Sequence, residues 1–95
     1  MAETIGKVTN IKLATVDPDF PNAIDVGAVY LKETSSGMTW LFYLWVSHAA
    51  DPAVNRVLQS QRLALVREAA FRHLTVHMFH DDVSNSVFEI TVDTP

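Results

Sequence analysis

Apolar and polar positions alternate with period two in the first stretch, Ile5 to Val16, IGKVTNIKLATV. Ile11 and Leu13 point one way, Asn10 and Lys12 the other. Val8 is out of phase, which predicts a bulge or a late strand start. DPDFPN (17–22) interrupts with two prolines and reads as a loop. AIDVGAVYLKE (23–33) is a second strand, with Gly27 at a bulge or a close-approach site. TSSG (34–37) is a hairpin turn. MTWLFYLWVS (38–47) is a third strand, apolar on both faces. Trp40, Phe42, Leu44 and Val46 lie on one side, Leu41, Tyr43 and Trp45 on the other. That pattern predicts a central strand in a sheet covered on both sides.

The period then changes. Asp51 before Pro52 predicts an N-cap and a first helical proline. Val54, Val57, Leu58, Leu65 and Ala69 recur at helical spacing, with Val66 beside them and Arg56, Gln59 and Arg67 away from them. The prediction is a helix over 52–72. LTVHMF (74–79) and SVFEITVD (86–93) return to period two and form a second hairpin across HDDVSN. The order βββ-α-ββ predicts one α+β domain over residues 1–95. It is a two-layer sandwich, a mainly antiparallel five-stranded sheet with one helix packed on one face.

Composition narrows the functions. The chain has 95 residues, 48% hydrophobic and 19% charged, as a small folded domain does. A formal charge of −4 disfavours a nucleic-acid surface, and the four helix arginines are spread around the helix rather than along one stripe. Without cysteine there is no thiolate nucleophile and no Cys-ligated zinc. The start, MAETIGKVTN, does not read as a signal peptide, and WLFYLWV (40–46) is too short to span a membrane. A cytoplasmic protein is the default expectation, with no membrane association.

HLTVHMFHDD (73–82) is the stretch most suggestive of chemistry. On a continuing helix, His73, His77 and His80 would share a face and suit zinc. On a strand, His77 and His80 point to opposite faces and His73 lies out of reach. The alternation of Leu74, Val76 and Met78 against Thr75, His77 and Phe79 favours the strand, so no metal site is expected. Ser47, His48 and Asp51 are adjacent in sequence, but a triad is a matter of geometry. DPDFPNAID fails as a calcium loop, because Asn22 and Ala28 stand where glycine and the bidentate glutamate belong. No catalytic set and no cofactor are expected.

The candidate site is therefore the helix-free sheet face. It is expected to carry Leu41, Tyr43 and Trp45 with Thr75, His77 and Phe79, joined by Val87, Glu89 and Thr91. Aromatics with polar tips suit an interface. The reading is a non-enzymatic interaction or self-association module, a homodimer or a protein partner docking through the sheet. The alternative is a small-ligand-binding protein or small enzyme with a pocket between helix and sheet, using His77, His48 or Tyr43.

Overall fold

The computed structural model describes residues 1–15 and 17–94. Its elements are β1 (Ala2–Ala14), β2 (Asp25–Glu33), β3 (Thr39–Ser47), α1 (Val54–Arg72), β4 (Val76–His80) and β5 (Val87–Val92). The strands form one antiparallel sheet in the order β3-β2-β1-β4-β5, with α1 against one face, the α+β class that the pattern predicts. Val16, the expected last residue of the first strand, lies outside the described residues.

Three register shifts shape the sheet. They fall between Val8 and Asn10 in β1, opposite Gly27 and Ala28 in β3, and opposite Phe79 and His80 in β5. Each inserts one extra residue, Thr9, Leu44 and Phe88 respectively. A bulge bends its strand and increases the local twist. The first explains Val8: it pairs with Leu31 while Ile11 pairs with Val29, so both face inward despite their odd spacing. Together the shifts curl the sheet. Phe42 on β3 and His80 on β4 are separated by two strands, yet their ring centroids are 4.5 Å apart.

The curl brings the outer edge of β3 to the β4–β5 turn. The Tyr43 N–H donates to the Asn85 carbonyl at 2.9 Å, and the Asn85 amide donates to the Leu41 carbonyl at 3.1 Å. From the helix, Arg62 Nη1 donates to the Leu44 carbonyl at 2.6 Å. Those groups would otherwise be an open template for strand addition. This corrects the expectation of a central β3. The strand is at the edge, with Phe42 and Leu44 buried on its inner face and Trp40 left 39% exposed. Phe20 in the β1–β2 loop meets Tyr43 edge-on, centroids 4.9 Å apart.

The core is Val29 and Leu31 of β2, Phe42 and Leu44 of β3, Val66 and Ala69 of α1, Val76 and Met78 of β4, and Val87 of β5. Val87 was expected on the outer face. The extra residue Phe88 reverses the phase, so Val87 points inward with Ile90 and Val92.

The helix departs from expectation in two ways. It begins at Val54 without a side-chain cap. Asp51 instead accepts the His48 N–H at 2.7 Å and closes the preceding turn. The face turned to the sheet also differs. Gln59 donates to Ser47 Oγ at 2.6 Å, Arg62 reaches the edge of β3, Leu63 packs on the core, and Val66 and Ala69 are buried. Hydrogen-bonding demand at the end of β3 thus brings two polar side chains inward. The helix is rotated, and Val57, Leu58 and Leu65, expected to be buried, are exposed. The side chain of Val54 lies outside what the structure describes. At the other end His73 adopts a left-handed conformation (φ 55°), and the Leu74 N–H returns to the Ala69 carbonyl at 2.9 Å. This is the usual left-handed helix stop.

Candidate interaction surfaces

Cross-strand pairing assigns each expected residue to a face, because paired residues point the same way. On the outer face, Leu41 pairs with Tyr30 and Tyr43 with Ala28. On β4, His77 pairs with Ile5 and Thr91, and Phe79 with Glu3 and Glu89. Thr75 lies just before β4, where its carbonyl accepts the Asp93 N–H at 2.9 Å.

Trp45 is a correction. The bulge at Leu44 turns it to the helix side, where it pairs with Gly27. Its Nε1 donates to Asp25 Oδ1 at 2.8 Å, and Arg56 of α1 holds the other carboxylate oxygen at 2.8 Å. Burial pushes the Asp25 carboxyl up, but hydrogen bonds from Arg56, Trp45 and Ser47 together outweigh it and hold it below the usual range. This group ties the end of β3 to the helix.

The outer residues do not form one patch. Leu41 and Tyr43 lie two strands away from His77 and Phe79, and between them Lys7 and Lys32 stand directly opposite one another. Tyr43 is half-buried under Phe20, and burial together with the Asp19 and Asp17 carboxylates raises its hydroxyl pKa. His77 is a structural bridge. Nδ1 lies 3.0 Å from Glu3 Oε2 and Nε2 3.1 Å from Asp93 Oδ1. The two carboxylates, Glu3 first, raise its pKa above the ordinary 6.5. The bridge joins β1, β4 and the residue after β5.

The other candidate groups stay apart. His77 points outward and His80 inward, and His73 ends the helix. His80 is buried, with Nε2 2.9 Å from Thr4 Oγ1 and Nδ1 3.0 Å from the Asp81 carbonyl. A carbonyl only accepts, so Nδ1 carries the hydrogen. His48 pairs with Asp51 at 3.7 Å, while Ser47 is held by Gln59. A cleft between helix and sheet does exist, lined by Trp45, Asn55, Leu58, Gln59 and Arg62. None of His77, His48 and Tyr43 lines it.

Several exposed apolar residues lie on the helix. Phe71 is 87% exposed, Val57 57%, Leu58 51% and Leu65 38%, and Phe88 of β5 is 55% exposed. Val57, Ala64 and Phe71 recur at seven-residue intervals along the outward line of α1. Leu58 and Leu65 flank that line on the side of β5, where a hollow joins them to Phe88 and Ile90. Arg56, Val57, Ser60, Gln61 and Ala64 edge a second, shallow hollow on the outward line itself. Sequence reasoning found the stripe but assigned it to the core, since a helical wheel does not say which of two apolar sides meets the sheet. Among the described residues no helix is long and apolar enough to cross a membrane. No protein-family model, no curated protein and no solved structure matches this chain.

Proposed function

We propose that the protein is a non-enzymatic self-association module, and that the surface it uses is the outward face of α1 rather than the sheet. The observation that carries this is the exposure of Val57, Leu58, Leu65 and Phe71 on one side of a helix whose other side is already packed. Soluble monomers rarely leave apolar residues grouped in this way.

A second copy suits the stripe because the two halves of the helix complement each other. Val57 and Phe71 lie equally far on either side of Ala64. In an antiparallel pair with its two-fold axis at Ala64, each Phe71 meets the other copy's hollow beside Val57. Gln61, an amide donor, comes near the other copy's Glu68. Ser60 and Ala64 at the crossing are small enough for axes about 8–10 Å apart. Such an interface is isologous, as two-fold pairs require.

The stripe from Val57 to Phe71 is about 21 Å long at 1.5 Å per residue. At a helix width of about 10 Å such a strip covers only about 200 Å², short of the roughly 800 Å² per partner of a standard interface, so the pair is weak, with a dissociation constant of roughly micromolar or above. Analytical ultracentrifugation over a concentration series tests the reading. The native chain should shift from monomer to dimer, and Phe71→Asp should stay monomeric while remaining folded. A native chain that is monomeric throughout the accessible range contradicts it.

A further inference from the structure

We propose that the cavity at the open end of the curled sheet binds a small organic cation, an ammonium or guanidinium group carried on a short apolar body. This proposal is independent of the helix surface. The cavity has a volume of about 370 Å³, within the size range of small-ligand sites. Trp40 and Phe42 form its apolar wall, Thr4 and His80 its floor, and Glu33 and Asp82 stand on its rim.

The polar groups explain the choice of ligand. Both His80 nitrogens are engaged, with Thr4 and with the Asp81 carbonyl. The amide of Asn85, which also lines the cavity, is spent on Leu41. What the cavity still presents is electron-rich: the Asp82 carboxylate, the Glu33 carboxylate, one of whose oxygens accepts from Ser36 and Trp40, and the indole of Trp40. Among the described residues no lysine or arginine side chain lines it. Trp40 Nε1 donates to Glu33 Oε1 at 3.3 Å, which fixes the ring beside that carboxylate so that both act on one ligand. A cation gains Coulomb attraction and ring-face attraction together. An anion of the same shape is repelled.

An amide and indole NMR titration tests this with three probes of one shape: benzylammonium, benzyl alcohol and benzoate. Benzylammonium should give saturable shifts at the Trp40 indole N–H and at amides 80–86, with benzyl alcohol about tenfold weaker and benzoate inert. Trp40→Leu should weaken benzylammonium about fivefold, the loss of one cation–π contact. Asp82→Asn combined with Glu33→Gln should weaken it about tenfold. Asp82→Asn alone, at an exposed position, gives a smaller loss and keeps the test independent of folding. Unsaturable benzylammonium shifts, equal binding of the alcohol, or unchanged affinity in Asp82→Asn and in the double variant would each overturn the proposal.

Discussion

The benzo ring of Trp45 lies over Gly27 so closely that a methyl group on Gly27 would stand 2.6 Å from three ring atoms. Real side chains do not approach so near, so glycine here is a condition for the indole's position. That position in turn lets Nε1 reach Asp25, and Asp25 reach Arg56 on the helix. Gly27→Ala should therefore expel the indole and destabilise the protein by about 1–3 kcal/mol, an overpacking cost. Chemical denaturation with tryptophan fluorescence checks both parts. A native-like emission maximum with unchanged stability would show that the ring does not rest there.

Phe42→Ala and Trp45→Ala should both destabilise, since both residues face inward. Phe42, at 1% exposure, should cost about 3–5 kcal/mol. Trp45 is only half-buried but also anchors Asp25, and about 2–4 kcal/mol is expected. Urea midpoints decide. A Trp45→Ala variant as stable as the native chain would return the residue to the surface.

Much of this was legible in the residues. The element order, the antiparallel pairing, the bulge near Val8 and the close approach at Gly27 follow from period-two alternation, glycine and turn chemistry. The face of Trp45 was not legible. Strict alternation puts Leu44 and Trp45 on opposite sides, and only the partner strand shows that Leu44 is an extra residue. The helix was misread for a related reason: its apolar side and its packed side differ because the β3 edge needs hydrogen bonds from Gln59 and Arg62. Asp51, likewise, accepts the His48 N–H of its own turn instead of capping the helix.

His77 should make stability depend on pH. Its folded pKa lies above the ordinary 6.5 because Glu3 and Asp93 hold the imidazolium. The folded state therefore binds the proton more tightly than the unfolded chain. The stabilisation is complete below the unfolded pKa and is lost as pH rises through the folded one. Native protein should thus lose its advantage over His77→Gln as pH rises above the ordinary 6.5. Urea midpoints of the two proteins across that rise measure it. A difference independent of pH would show that the bridge does not favour the charged ring.

His73 pays for a left-handed conformation that glycine adopts freely. His73→Gly should stabilise the protein by about 1 kcal/mol, visible as a raised melting temperature. An unchanged or lowered value would mean that the imidazole makes a compensating contact.

The most direct test of the central claim, that α1 rather than the sheet is the association surface, is an amide NMR dilution series. Shifts that change with concentration should map to residues 57–71 and to Phe88, leaving Leu41, His77 and Phe79 unmoved. Changes confined to the outer sheet strands, with α1 unmoved, would contradict it.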